Sequence, residues 1–482
     1  MEIANAVRQV VGADFPLIFR IPCLDLIEGG LNYTDTNILI NKLIPYGIDL
    51  LNVSIGWHES KVPTIAQLVP SAGFSPVAAC LRKQFPDLLI AVSNRINDPR
   101  VAEQLLIDKT ADLIALGRPF LSDPQFVVKA YNNQFKEINT CIACNQSCLD
   151  FVFNSKPVGC SVNPDCGTKQ EGKFPLFQRP IRIAVIGGGI AGLSAAVFLA
   201  KRGATVVLFE QSEQLGGQLQ FAAKIPGKQE FQETIRYYTA TLGALGVDIR
   251  LNTHFNENTL KSEHWVHLVI ATGSVPNQLQ DIPGIDGSNV YSYADILLHE
   301  LPVPFPAVII GGGGVACDVA NYIIEKAATC RVNSQNYLKA YAQSFDSPQY
   351  FNESQWYGTP VTILQRSSKK IAYKVGLTTR WITMEKLEKA KVAMFRHLDI
   401  IAIRDDCVEI LNKTTGKSQS IAAKSVIIAA GQQPEQSLLA YLQPHESAEV
   451  SYSLIGAAEG GNHTNITTAT ASAYEMTMAL DY

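Results

Sequence analysis

Two stretches in series, IRIAVIGGGIAGLSAAVFLAKRGATVVLFE (181–210) and PAVIIGGGGVACDVANYII (306–324), constrain the fold more than anything else in this chain. Each starts with a strand-length apolar run, breaks at a glycine turn and continues as a helix. In the first, Gly187, Gly189 and Gly192 fit G-x-G-x-x-G, with Ala191 inside the turn. The first glycine of such a motif permits the bend, the second lets backbone approach a pyrophosphate, and the third lets the helix pack on the strand. Glu210 ends the following strand, 23 residues after Gly187, where a carboxylate can bind ribose hydroxyls. In the second copy Gly311, Gly313 and Ala316 fit G-x-G-x-x-A. Two dinucleotide-binding domains in series are expected.

The strand that should end the second unit in an acid reads VTILQRSSKK, placing Gln365 at that position and Arg366 after it. A neutral residue followed by cations accommodates a 2′-phosphate that a carboxylate would repel, so NADPH is expected over NADH. Lys369 and Lys370 read equally well as a solvated surface run. Near the first copy, LGGQ with Gly217 and Gln218, and ATG with Ala271, Thr272 and Gly273, are typical of flavin-dependent disulfide-reductase-like folds, which makes FAD the expected first ligand. A buried strand in AAKSVIIAAGQQP (422–434) is expected to close the first domain. The boundaries expected are 181–290 plus 421–482 for FAD and 291–420 for NADPH. The polar stretch between Cys330 and Gly358 reads as an insertion.

Residues 1–135 alternate short branched-rich runs (PLIFRI, DLLNVSI, LLIAVSN, ADLIALG) with helical stretches such as TDTNILINKLIPYG and DPRVAEQLLID. Alternation of this kind implies parallel strands with right-handed crossovers, and four βα units make half of an eight-stranded barrel. Polar residues at the strand ends, where barrels carry chemistry, are Arg20, then Gly56, Trp57 and His58, then Asn94 and Arg95, then Gly117 and Arg118. The expected fold is therefore α/β: a partial TIM barrel (its second half), an iron-sulfur segment with a linker over 136–180, and two Rossmann-like domains.

Five of the ten cysteines lie within 26 residues. Cys141-x2-Cys144-x3-Cys148-x11-Cys160 gives a crowded triplet and one remote thiol, which suits a 4Fe-4S cluster better than structural zinc, whose ligands come in two pairs. Zinc and no metal are the alternatives. Cys166 reads as a free loop cysteine before a fifth or alternate ligand. The remaining five read as small core residues.

Composition narrows the function classes. With 17% charged residues and a formal charge of −4, the chain lacks the basic stripe that nucleic-acid binders need. Its apolar runs are strand-length, short of the roughly 20 residues of a membrane span. MEIANAVRQVVGADF reads as an amphipathic helix without the order of a signal peptide, so a cytoplasmic protein is expected, with no nucleic acid and no membrane as partner.

The segments LNYTDTN, NVSIGWHESKVPTIA, NRINDPRVAEQLL, GRPFLSDP and INTCIACNQSCLD, followed by the two glycine turns, resemble the family of bacterial NADPH-dependent 2,4-dienoyl-CoA reductases, in the old yellow enzyme class with trimethylamine dehydrogenase. The resemblance runs over essentially the whole chain. It implies hydride transfer from NADPH to FAD, single electrons through a 4Fe-4S cluster on Cys141, Cys144, Cys148 and Cys160 to FMN, and reduction of a conjugated acyl-CoA thioester in fatty acid β-oxidation. By the same resemblance Arg20, Arg95, Gly117 and Arg118 hold FMN, while His58, with Glu59 beside it, contacts the thioester carbonyl and helps protonate the product. From the residues alone, His58 reads more readily as a structural strand-end histidine.

The chain departs from that family in two places. Its Met1 falls before what would be the fifth barrel strand, so a split or truncated gene with a companion chain supplying the other half barrel is expected. In SLIGAAEGG, Glu459 stands in for the family's aspartate at FAD. The competing readings are an NADPH-driven FAD and iron-sulfur electron-transfer subunit, like the small subunit of glutamate synthase, and a decayed fragment that folds poorly.

Overall fold

The computed structural model describes residues 1–57, 59–277, 279, 281–327, 360–442, 450–461 and 465–482. The insertion expected between Cys330 and Gly358 lies outside them. They divide into two compact units, Met1–Phe135 and the described residues from 136 onward.

In the first unit, helix Glu2–Val11 precedes four parallel strands in sequential order: Ile18–Leu24, Leu50–Ile55, Leu89–Val92 and Leu113–Ile114. The crossovers are helices with legible starts. Asn32 and Asp35 form a capping box on Tyr33–Leu43, and Asp98 caps Pro99–Ile107 with proline in its first turn, both of which satisfy amide groups that a helix start leaves open. One face of the sheet (Ile21, Val53, Ile90, Val92) packs on Ile40, Leu43, Val77, Leu81 and Leu105 from the helices. Successive side chains alternate faces in a strand. The other face therefore carries Ile18, Arg20, Leu89 and Leu113, which are exposed, and Leu50 and Ala91, which are buried between them. Parallel sheets are ordinarily covered on both sides; here the described residues cover one.

The second unit holds two five-stranded parallel sheets. The first has the order Ser451–Leu454, His267–Ile270, Arg182–Ile186, Thr205–Phe209, Asp248–Arg250; the second has the order Val290–Ser292, Ser425–Ile428, Ala307–Ile310, Val361–Gln365, Ala393–Arg396. The middle of Arg182–Ile186 is fully buried on both faces, at Ile183, Ala184 and Val185, as a central strand between two helix layers must be. An antiparallel meander of Leu398–Ile403, Cys407–Asn412 and Ser418–Ala422 accompanies the second sheet, and Ser274–Pro276 pairs antiparallel with Gln432–Pro434.

The boundary expected at 421 is corrected here. Ser425–Ile428 pairs with both Ala307–Ile310 and Val290–Ser292, so it belongs to the second sheet. The strand that closes the first is Ser451–Leu454, against His267–Ile270. An uninterrupted apolar strand says that it is buried and not in which sheet. Among the described residues, no helix is long and apolar enough to cross a membrane.

Candidate functional site

The first glycine turn follows Arg182–Ile186 and opens helix Ile190–Lys201. Gly187 has φ +110°, and a Cβ there would lie 2.3 Å from the Ala271 carbonyl oxygen. A Cβ on Gly192 would lie 1.9 Å from the Gly187 oxygen, so turn and helix touch through bare backbone. Gly189 has open space where its Cβ would be, directly at the helix N-terminus, where amide groups and the helix dipole favour a phosphate. Ala191 is buried in the first turn of this helix and is met by Gly456, whose Cβ would stand 2.7 Å from that of Ala191. Glu210 is nearly buried and accepts from the Gly188 amide at 2.7 Å and from the Ser212 amide and hydroxyl at 2.8 and 2.7 Å.

The other expected residues gather round this turn. Gly216 bridges to Gly189, and Gly217 precedes helix Gln218–Lys224, a Cβ on it meeting Gly189 at 3.0 Å. Ala271 backs the turn, the Thr272 hydroxyl donates to the Glu435 carbonyl, and the Gly273 carbonyl accepts from the Glu435 amide. Glu459 is exposed and accepts from the Ser472 hydroxyl at 3.0 Å. The residues present fit a flavin dinucleotide at its pyrophosphate and ribose.

The second turn repeats the plan. Gly311 has φ +139°, with a would-be Cβ 2.1 Å from the Ala429 oxygen, and Gly313 faces open space at the start of helix Gly314–Ala327. Ala316 is fully buried. Gln365 occupies the place of Glu210: a Cβ on Gly312 would lie 1.9 Å from its Oε1. Its amide nitrogen donates to the carbonyls of Ser367 and Lys369. A carboxylate at 365 would face those two oxygens without a proton to offer, so the amide holds the loop that carries Arg366, Lys369 and Lys370, all exposed. Lys369 stacks on Tyr373, 4.6 Å from its ring centre.

The cysteine segment lies in the same unit. Ile142, Val162, Leu219 and Ile235 pack around Cys144 and Cys160. Burial, then the charges of Cys141 and Cys148, push the Cys144 thiol up to about 11, against hydrogen bonds from Ser161 and the Gln146 amide. Burial and the charges of Cys144 and Cys141 push Cys160 well above the usual range, against the Val162 and Asn163 amides. Cys144 thus feels Cys141 and Cys148, Cys160 feels Cys144 and Cys141, and Cys144 and Cys160 sit among apolar side chains, where thiolates are costly unless a cationic centre offsets them. Amide donors to the sulfurs are the surroundings that suit iron-sulfur ligands. Among the described residues, no group of three or more His, Cys, Asp or Glu side chains forms a ready site for a metal ion. Burial, then the charges of Glu171, Asp165 and Cys148, push Cys166 up, so this fifth cysteine also feels one of the four.

In the first unit Arg20 is not at a strand end as expected, because its strand runs on to Leu24. It sits mid-strand on the uncovered face, beside Asn52, which pairs in turn with Ala91. Arg95 is 5% exposed, with φ +56°, and donates to the Val69 carbonyl at 2.9 Å. Gly117 faces open space, and Arg118 donates to the Ile65 carbonyl at 2.8 Å. Glu59 is exposed. His58 lies outside the described residues.

Three features were not anticipated. The Asn52 Oδ1 is buried without a partner, in the same row as Arg20. Gly188 and Gly312, the variable residues of the two motifs, are the ones that meet Glu210 and Gln365. Asp150, two residues after Cys148, is buried and accepts from the Thr378 amide (3.0 Å) and hydroxyl (2.8 Å), capping helix Leu377–Lys389, whose own cap residue Gly376 has no side chain to offer. A Cβ on Gly376 would lie 1.9 Å from that carboxylate.

Residues 181–457 match the model of the pyridine nucleotide-disulphide oxidoreductase family, and residues 1–137 that of the NADH:flavin oxidoreductase / NADH oxidase family. The chain is 32% identical over 447 residues to a metal reductase of Desulforamulus reducens, covering 92% of this chain and 66% of that one. It is 28% identical over 341 residues to a cinnamate reductase of Clostridium sporogenes, covering 67% and 50%. It thus spans about half to two thirds of the length of these relatives. Among solved structures, 2-naphthoyl-CoA reductase with 2-naphthoyl-CoA superposes with a TM-score of 0.87 at 28% identity, covering 100% of this chain and 68% of the other.

Proposed function

Since the chain belongs to the pyridine nucleotide-disulphide oxidoreductase family, with a segment of the NADH:flavin oxidoreductase / NADH oxidase family ahead of it, we propose that it carries reducing equivalents from NADPH to a conjugated acyl-CoA thioester of the 2,4-dienoyl kind. The observation that carries the reading is the contrast between the two turns. Glu210 suits the ribose hydroxyls of FAD, whereas Gln365 with Arg366 suits the 2′-phosphate of NADPH. The substrate class draws on relatives named for cinnamate and for a CoA thioester.

Gly187, Gly189, Gly192, Glu210, Gly217, Gln218 and Thr272 would hold FAD, and Cys141, Cys144, Cys148 and Cys160 a 4Fe-4S cluster. Arg20, Arg95, Gly117, Arg118 and the unpartnered Asn52 carbonyl would face FMN. His58 and Glu59 would meet the thioester. When bound, the flavins supply hydride chemistry at the nicotinamide and at the conjugated double bond, and the cluster supplies single-electron transfer between them. The chain's own share is to fix the phosphates on bare backbone, to favour NADPH at Arg366, and to surround the sulfurs with donors.

A second reading has a specific observation behind it. The exposed face of the first sheet, with Ile18, Leu89 and Leu113 on it, needs covering strands, and without a companion segment to supply them the chain would deliver electrons to a partner instead. An anaerobic assay separates the two. NADPH oxidation driven by both a dienoyl-CoA and an artificial one-electron acceptor supports the first. Oxidation with the artificial acceptor alone supports the second. No NADPH oxidation with either contradicts both.

A further inference from the structure

Ser147, Ser161 and Thr467 are mutually within hydrogen-bond distance: Ser147 to Ser161 is 3.0 Å, Ser147 to Thr467 is 2.8 Å, and Ser161 to Thr467 is 2.8 Å. Ser161 Oγ also lies 3.4 Å from the Cys144 sulfur, and Thr467 lies 3.4 Å from the Gln146 side-chain oxygen. Ser147 and Ser161 are 3% and 2% exposed, so bulk water does not compete for these two hydroxyls, and Thr467 is half-buried. The three residues come from two loops between cysteines and from the first turn of helix Ile466–Ala479, which is fixed by a capping box of Asn465 and Thr468. Thr470 on that helix donates to the Ser161 carbonyl at 2.8 Å, which pins the position of the Ser161 hydroxyl.

Counting protons gives the network a direction. A metal-bound thiolate has no proton and can only accept, so the Ser161 hydroxyl must donate to Cys144. That leaves two hydroxyl protons for the three hydroxyl pairs and for the longer approach of Thr467 to the Gln146 side-chain oxygen at 3.4 Å. They satisfy the two shorter ones if Ser147 donates to Thr467 and Thr467 to Ser161; the protonless edge is then Ser147 to Ser161, the longest of the three. The result is a chain of three O–H donors ending on one sulfur, and such chains strengthen each member cooperatively.

We propose that this Ser147–Thr467–Ser161 relay sets the reduction potential of the cluster held by Cys144, an inference that rests on the iron-sulfur reading above. An added electron increases negative charge on the sulfur, so a donor aimed at it binds the reduced form more tightly and raises the potential. Ser161 is a positioning residue for electron transfer and touches no substrate.

The test is a redox titration of the anaerobically purified protein, following the cluster by electron paramagnetic resonance, with iron per chain measured on the same samples. Ser161→Ala should retain its iron and become about threefold to tenfold harder to reduce, a fall of about 30 to 60 mV by the one-electron conversion. Thr467→Val, which removes the donor to Ser161 and leaves the sulfur untouched, should shift the midpoint the same way by less. Ser161→Thr, which keeps a hydroxyl, should restore it. Wild-type midpoints in both Ser161→Ala and Thr467→Val at full iron content would overturn the relay. Wild-type protein without iron would overturn the iron-sulfur reading itself, and the two failures are told apart by the iron measurement.

Discussion

The two glycine turns share a backbone and differ in what reads the nucleotide. At both, a Cβ on the first glycine would strike the carbonyl oxygen of the neighbouring strand end (2.3 Å at Gly187, 2.1 Å at Gly311), and the third consecutive glycine, Gly189 or Gly313, opens onto free space at a helix start. Phosphate binding is thus a property of the backbone, common to both. The residue at the strand end differs: Glu210 in the first, and in the second Gln365, whose amide holds the following loop. They also differ at the helix: Gly192 presses on Gly187, while Ala316 has room for a methyl group. The contrast teaches that one backbone scaffold can carry two different strand-end residues, and with them two differently held loops.

The strongest way to break the comparison is at that helix. Gly192→Ala, placing a Cβ 1.9 Å from a backbone oxygen, should cost at least about 3 kcal/mol and abolish FAD retention. Ala316→Gly, at the matching place, should cost only about 1 kcal/mol. Urea unfolding with flavin release as a second probe would compare them, and equal costs would refute the difference in packing.

Acid sharpens it next. His267, at the start of a first-sheet strand, is bonded to Ser451 and Ser453 on the closing strand, and burial pushes it down to about 4 from 6.5. Below pH 6.5 the unfolded chain takes a proton that the folded chain refuses, so stability falls between pH 6.5 and about 4 and levels off below. The loss is up to about 3 kcal/mol. The matching second-sheet strands carry no histidine. His267→Asn should flatten that pH dependence in thermal melts, and an unchanged slope would show that another group governs it.

Smaller still is the coenzyme preference. Arg366→Ala should raise the KM for NADPH about fivefold to twentyfold and leave that for NADH unchanged, because it removes one exposed charge-assisted hydrogen bond to the 2′-phosphate. Parallel changes with both coenzymes would place Arg366 outside the 2′-phosphate site. Last, Asp150→Ala should cost about 1 kcal/mol by uncapping helix Leu377–Lys389, with Asp150→Asn costing less; hydrogen exchange at Thr378 would read it locally.

Much of this was legible in the sequence because turns and strand ends have local signatures: the glycine spacing, Glu210, the Gln365–Arg366 pair, the order of the four N-terminal parallel strands. Strand assignment failed where the signal was not local. Nothing in SVII distinguishes a first-sheet strand from a second-sheet one, and nothing in PLIFRI reveals that the strand continues through Pro22 to Leu24 and leaves Arg20 in its middle. Asp150 and Gly376 are 226 positions apart, so their meeting is a tertiary fact. The serine and threonine relay escaped for the same reason: hydroxyl residues in loops are common, and only the docking of the C-terminal helix makes these three a set.

The central claim is that one chain joins an NADPH site and an FAD site to a cluster in series. Anaerobic purification followed by release and quantification of bound flavins and iron tests it most directly. The account predicts one FAD and about four irons per chain, with FMN added when the covering strands of the first sheet are supplied. A preparation with neither FAD nor iron would contradict it.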